Sequence, residues 1–354
     1  MKPEFDIDKS FRQCVGIDIS KDKFSACLYM QNAEGSNCRS PFVEFANTKT
    51  GFNQLMKWAR KGCMKGHAIG FLMEATGIYY EPLAYHLQNL KQTVYVVLPN
   101  KARKFAEYKG ILTKTDAMDS YVLGWLGCED RKLKPWTPPK KIYRQLRQMT
   151  RFDSAMKVQR TALLNQVEAL KHSEMPDSSV VKATLSIINV INKQLEANEK
   201  QIKKLIKTDE ELEKRISHLS TIPGVSLTTI ATIVAETQGF DLITSRKQLA
   251  SYAGLDIPAH QSGKEDRPRH ISKKGNSHLR AALYMPALVA TRFNSPLRED
   301  YGRIVLKHAT KRKVAIVAIM RKLLLLMYTV WKKEEDFDSD IDKKGQETSP
   351  YPTR

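Results

Sequence analysis

Cysteine is scarce: five residues in 354, at Cys14, Cys27, Cys38, Cys63 and Cys128, odd in number and with no Cys-x-x-Cys pair. That argues against a disulfide framework or a thiolate zinc site and fits a reducing compartment. Long apolar runs are also missing. The longest, Val314 to Trp331, is interrupted by Arg321 and Lys322. A charged pair at mid-span is costly in hydrocarbon, so a buried or partner-facing helix is expected, with no membrane span. The N-terminus MKPEFDIDKSFRQC lacks the apolar core of a signal peptide, and a cytoplasmic location is the expectation. No G-x-x-x-x-G-K-[ST] loop, strand-borne G-x-G-x-x-G, H-E-x-x-H or G-x-S-x-G occurs, which removes nucleotide hydrolysis, hydride transfer and zinc hydrolysis from consideration. The eight histidines are scattered and read as structural or surface residues.

What is abundant is positive charge: 58 Lys and Arg against 38 Asp and Glu, a formal balance of +20. Such a surface favours a polyanionic partner. Hydrophobic residues make up 42% and charged residues 27%, the balance of a folded globular chain. At roughly 100–200 residues per domain the length predicts two or three domains.

Along the chain, Cys14 to Met30 reads as two short apolar runs around a polar turn, a β-hairpin. Strand signals recur at His67–Met73 and Thr93–Leu98, with helical spacing from Tyr79 to Leu90 between them. This order predicts an α/β domain with a mixed sheet. A helix-favouring stretch, 101–127, carries a potential break at Lys109-Gly110. Three prolines within Lys134-Pro-Trp-Thr-Pro-Pro then stop regular structure and mark a boundary. Beyond it, Met149, Phe152, Met156, Leu163 and Leu170, then Val181, Leu185, Ile188, Leu195, Ile202 and Ile206, follow a 3-4 spacing. That predicts two long helices in an antiparallel or intermolecular coiled coil, or else a local bundle. His218–Thr237 has the form of a helix-hairpin-helix around Ile-Pro-Gly-Val-Ser, whose second helix would present backbone N–H groups to a phosphate. Residues 259–276 read as a polar, basic and flexible loop, and the residues after Lys333 as a disordered tail.

Four acidic residues stand out by position. Asp18 interrupts an apolar strand, Glu74 ends another, and Asp116 and Asp119 are spaced i, i+3 on one helix face. A carboxylate at a buried strand position is expensive unless paired or bound to cations. If these elements converge, two Mg²⁺ ions about 3.5–4 Å apart would neutralise the set and clamp a phosphodiester. The alternative is a capped strand end and an exposed helix face. From Arg131 to Arg160 ten basic residues face only Asp153, Lys140, Lys141, Arg144, Arg147 and Arg151 among them, with Trp136, Tyr143 and Phe152 interleaved as potential stacking partners for bases.

The segments VGIDISKDKF, FLMEATGIYYEPLAYHL, KTDAMDSYVL and IPGVS…QLASYAGLDIPAHQSGKEDRPRHISKKGNSHLRAAL form an ordered set. As such a set they resemble the DEDD transposases of the insertion-sequence one-ten group, relatives of the Piv-type DNA invertases. The resemblance implies an α/β RNase H-like (RuvC-like) N-terminal domain, a helical coiled-coil middle, and a mainly α C-terminal transposase domain with a helix-hairpin-helix. The corresponding ranges are 1–133, 134–212 and 213–333, with a tail at 334–354. It implies Mg²⁺ held by Asp18, Glu74, Asp116 and Asp119. It also implies a serine nucleophile forming a covalent phosphoserine with DNA. The pattern assigns that role to Ser262, with Ser272 and Ser277 as rivals. Lys264, Arg267, Arg269, Lys273, Lys274 and Arg280 are expected to contact nucleic acid there. It further implies donor and target DNA, a structured noncoding bridge RNA as guide, and a dimer or tetramer in which carboxylates and serine meet across protomers. The rivals are a metal-dependent junction resolvase using water, an invertase without an RNA guide, and a non-catalytic nucleic-acid-binding protein.

Overall fold

A computed structural model describes residues 11–75, 77–111, 115–241, 243–257, 261–262, 265–266, 270–307 and 312–338. The chain divides into two compact units, Met1–Pro138 and Pro139–Arg354, so the break falls inside the proline cluster that removes backbone donors.

The first unit is a mixed sheet. Strands β1 (Arg12–Ile19) and β2 (Lys23–Gln31) form the expected antiparallel hairpin. Two short strands, β3 (Asn37–Arg39) and β4 (Val43–Ala46), share the outer edge of β2. On the other side, β5 (Ile69–Glu74) and β6 (Thr93–Val97) run parallel to β1, giving the order β3-β2-β1-β5-β6. Between β4 and β5, α1 (Lys49–Gly62) starts where the Thr48 side chain accepts from Gly51 N at 3.3 Å and buries Phe52, Leu55, Met56 and Ala59 on one stripe. Helix α2 (Glu81–Asn89) connects the parallel strands. Then α3 (Pro99–Tyr108) ends at the expected break, where Gly110 has φ +71°, and α4 (Asp116–Glu129) begins beyond it under a Thr115 cap. One core, around Val15, Ile17, Leu55 and Leu83, lies between the sheet and α1 and α2. A smaller one, around Cys14, Leu72, Leu123 and Leu126, lies under α4. All five cysteines are free thiols, and burial pushes the Cys14 thiol up to about 12, far from reactivity.

The second unit is almost entirely helical. Two long helices, α5 (Lys141–Lys171) and α6 (Ser178–Ile206), pack antiparallel: Asn198 Nδ2 donates to Met149 O at 3.1 Å, and Arg160 Nη1 to Asn192 Oδ1 at 3.2 Å. Their buried stripe differs from the apolar count. It includes the polar Thr150, Asp153, Thr184 and Asn198, while Phe152 and Leu185 lie outside it at 40% and 41% exposure. The polar members are admitted because each has a partner: Asn198 on the Met149 carbonyl, Asp153 on Lys157, Thr150 on Arg147 O and Thr184 on Val180 O.

Helices α7 (Glu210–Ser220) and α8 (Leu227–Thr237) follow, joined by a turn in which Gly224 has φ +87°. Next come α9 (Arg246–Tyr252), the short paired strands β7 (Gln261–Ser262) and β8 (Glu265–Asp266), α10 (Ser277–Phe293), α11 (Ser295–Lys307) and α12 (Arg312–Lys333). By length and composition α12 could cross a membrane, yet Ile319, Leu323, Leu324, Met327, Val330 and Trp331 are buried in the unit's core. The expected disordered tail begins differently from its composition. Phe337 packs on this core, Glu334 pairs with Arg215 at 2.6 Å, and Asp336 accepts from His218 at 2.7 Å. Residues 339–354 lie outside the described residues.

Candidate active site

The acidic residues are organised by β1. Its residues alternate between faces, and Cys14 and Gly16 face α4. A Cβ on Gly16 would sit 2.0 Å from Gly124 N and 2.1 Å from Ser120 O, so only glycine lets the helix lie this close to the strand. Further along, a Cβ on Gly127 would meet Cys14 Sγ at 2.2 Å. Helix α4 therefore runs back along β1, and its first turn, with Asp116 and Asp119, lies beside the end bearing Asp18. Strand β5 is parallel to β1 with Ile17 opposite Met73, so Asp18 and Glu74 come next, side by side on the same face.

Register extends this row beyond what the sequence motif shows. Asp18 pairs with Ser25, and Ser25 with Glu44. Lys23, two residues from Ser25 on the same face, places Nζ 2.7 Å from Glu44 Oε1. The hydrogen bond and charge of Glu44, with a smaller contribution from Asp116, raise the Lys23 ammonium above its ordinary value. Ser25, Glu44 and Lys23 are the members that sequence reasoning missed, because cross-strand register is invisible in the chain order. Carboxylate oxygens on rigid elements are the donor type of a hard divalent cation. Among the described residues, no three His, Cys, Asp or Glu side chains gather closely enough to hold an ion.

In the second unit the backbone places Ser262 at the end of β7, opposite Glu265 of β8, with two residues between the paired positions. The roots of this arm are fastened: Ser272 N donates to Asp256 O at 2.8 Å, Lys273 N to Gly254 O at 3.1 Å, and Ser272 Oγ to the Asp256 carboxylate. Ser272 is thus committed to its neighbour, while Ser277 is the exposed first residue of α10. Behind the roots lies a polar network that the sequence did not announce. Glu236, 2% exposed, accepts from Arg151 Nε at 2.7 Å and Nη2 at 3.1 Å, and from Asn276 Nδ2 at 2.7 Å. Tyr252 OH donates to Glu236 O at 2.9 Å. Burial alone would push the Glu236 carboxyl up, but the hydrogen bonds and charge of Arg151, together with Asn276, outweigh it and hold the group below its usual range.

Several expected nucleic-acid contacts have other uses. Arg151 is spent on Glu236, and Arg280 Nη1 donates to the carbonyls of Ala253 at 2.9 Å and Gly275 at 3.0 Å, so both brace the unit rather than reach for phosphate. Tyr143 is buried in the second unit's core and offers no face to a base, whereas Trp136 packs edge-on against Tyr85 and is half-buried. Lys140, Lys141, Lys273 and Lys274 are exposed, and Arg144 and Arg147 are half-buried. Lys264, Arg267 and Arg269 lie outside the described residues. In the turn before α8, Ser226 Oγ accepts from Thr229 N at 3.3 Å, capping an N–H that a phosphate would otherwise take.

Two family profiles match the chain: one described as Transposase over residues 15–176, the other as Transposase IS116/IS110/IS902 family over residues 216–302. The chain is 31% identical over 337 residues to the pilin gene-inverting protein of Moraxella bovis, covering 92% of this chain and 98% of that one. The pilin gene-inverting protein of Moraxella lacunata matches to the same extent. A protein of insertion element IS110 from Streptomyces coelicolor is 24% identical over 160 residues, 45% of this chain and 38% of its own length.

Proposed function

The chain belongs to the IS116/IS110/IS902 transposase family, a DNA recombinase with a RuvC-like α/β N-terminal unit, and from that premise we propose a bridge-RNA-guided enzyme that exchanges DNA strands through a serine-linked intermediate. The observation that carries this reading is the row in which Asp18 and Glu74 stand side by side with the first turn of α4 along them. Asp18, Glu74, Asp116 and Asp119 are the residues that would hold Mg²⁺, with their side chains drawn closer together than they stand here. Bound there, the ion would neutralise phosphate charge and stabilise the developing oxyanion.

Ser262 supplies the nucleophile. Its Oγ forms a bond to phosphorus as the bond from phosphorus to the leaving strand's oxygen breaks; the hydroxyl proton passes to solvent and the leaving oxygen takes one up. Phosphodiester energy is conserved in the phosphoserine, so no nucleotide cofactor is required, in keeping with the missing nucleotide loops. The exposed Lys140, Lys141, Lys273 and Lys274 hold the polyanion. Guide RNA, donor DNA and target DNA are the partners. The antiparallel α5–α6 pair serves as the coiled-coil element of a dimer or tetramer, a role supported by the aliphatic side chains it leaves exposed. The α7–α8 turn serves as the helix-hairpin-helix. In this reading the working parts are 1–133, 134–212, 213–333 and the tail 334–354.

The test is covalent capture on supercoiled DNA carrying the element's ends, with the guide RNA and Mg²⁺. Wild type gives a protein–DNA adduct, and Ser262→Ala is expected to lose it while still binding DNA. An undiminished adduct in that variant sinks the serine assignment. The match to gene-inverting proteins over nearly their full length favours a second reading, inversion of a resident segment. In the same assay an inverted segment rather than an excised element marks it.

A further inference from the structure

A cavity of about 600 Å³ opens in the second unit between α12 and the two roots of the Ser262 arm, within the roughly 300–1,000 Å³ typical of small-ligand pockets. Its floor is aliphatic: Leu255 and Ile257 from the chain entering the arm, Val314, Val317 and Leu325 from α12. Its rim is cationic. Lys273, Lys313 and Arg321 line it, and none of the three has an ion-pair partner among the described residues. A fourth cation, Lys322, is neutralised by Asp300. Two features of the sequence thereby gain a use: Arg321 interrupts the apolar run because it turns to this rim, and Lys273 sits at the arm's fastened root with φ +53°.

An apolar floor beneath three cations without an ion-pair partner among the described residues fits a ligand with a flat, desolvated part and an anionic part. Resting on the Ser262 reading above, the geometry points to an unpaired nucleotide of the DNA strand under attack, its base on the floor and its flanking phosphates on Lys273, Lys313 and Arg321. A paired base cannot enter a cavity, so this nucleotide is splayed from its duplex. Ser262 lies five residues beyond Ile257, within about 17 Å along an extended chain, so the captured nucleotide stands a few positions from the phosphate under attack. Charge complementarity selects a polyanion over a second copy of this basic chain.

The experiment measures fluorescence anisotropy of the full chain with a labelled single-stranded oligonucleotide, the corresponding duplex, and an RNA of the same sequence. Ala318→Trp fills the cavity, and Lys313→Ala with Arg321→Ala strips the rim. The proposal expects each to weaken single-strand binding about tenfold or more while duplex binding changes much less. The rim variant should also flatten the salt dependence by about two counterions. Unchanged melting temperatures identify folded variants. Should Ala318→Trp fail to fold, the rim variant carries the test alone.

Equal loss on single strand and duplex overturns the proposal, as does no loss on either. RNA binding that is tighter and equally sensitive to the substitutions overturns the DNA assignment. If deleting 339–354 raises single-strand affinity in wild type but not in the cavity variants, the chain's own C-terminal segment is the occupant and the proposal fails. Ser262→Ala binds normally in this assay, so a failure here leaves the serine reading standing, and a failed adduct test leaves the cavity standing.

Discussion

Glu236 shows what a single residue contributes in this protein. A buried carboxylate is tolerated only with compensation, and here it has a two-pronged guanidinium and a side-chain amide. Because Arg151 retains 43% side-chain exposure, its pairing is discounted from the value of a fully buried pair. Glu236→Gln or Arg151→Met is expected to cost about 2–3 kcal/mol of unfolding free energy, read by urea denaturation. The folded-state pKa of Glu236 lies below its ordinary value of 4.5. Its contribution is therefore complete above pH 4.5 and disappears as pH falls from there through the folded-state value. Wild type should lose stability across that window, and Glu236→Gln should lose correspondingly less. Parallel pH profiles would rule the linkage out. Since Asn276 also caps α10 through His278 N and Leu279 N, the same substitution loosens the base of the serine arm.

At the scale of elements, the close approach of α4 to β1 decides where the carboxylates stand. Gly16 and Gly124 let the helix backbone touch the strand, and the first turn of α4 is delivered to the end of β1 and β5. The α5–α6 pair behaves differently. One stripe is buried within the pair, yet Val158 at 70%, Leu164 at 46%, Ile187 at 52% and Val190 at 56% remain exposed. These exposed side chains are what the oligomer proposed above would use as its association face. Ile187→Glu together with Val190→Glu is expected to halve the molecular mass read by light scattering while leaving the melting temperature within a few degrees. An unchanged mass would locate the oligomer contact elsewhere.

For the whole molecule, the charge of +20 is the bulk property with a functional consequence. Part of it is spent internally, on the ion pairs Arg151–Glu236, Lys157–Asp153, Lys109–Glu129 and Arg215–Glu334. The cations left at the surface set the binding of nucleic acid. Replacing both Lys140 and Lys141 by alanine should lower the slope of log affinity against log salt by about two, uniformly across DNA sequences, whereas Arg151→Met should leave that slope unaltered. A slope unaffected by the lysine pair would remove them from the interface.

The sequence by itself determined the hairpin and the two parallel strands of the N-terminal sheet, though not the short edge strands β3 and β4, and it determined the break at Gly110, the proline boundary and the two long helices. These follow from local periodicity and from Gly and Pro chemistry, which act over a few residues. It also marked Asp18, Glu74, Asp116 and Asp119, because a carboxylate closing an apolar strand stands out in one dimension. Only the tertiary structure decided the partners. Ser25, Glu44 and Lys23 join the acidic row through register, and Arg151 leaves the basic stretch for Glu236, 85 residues away. Phe337 draws the start of an acidic tail onto the core, and Tyr143 gives its faces to neighbours rather than to bases. The physical reason is common to all of these: a charge or a ring is satisfied by whichever complement the fold brings within contact distance, and that complement is set by long-range packing, which local pattern does not encode.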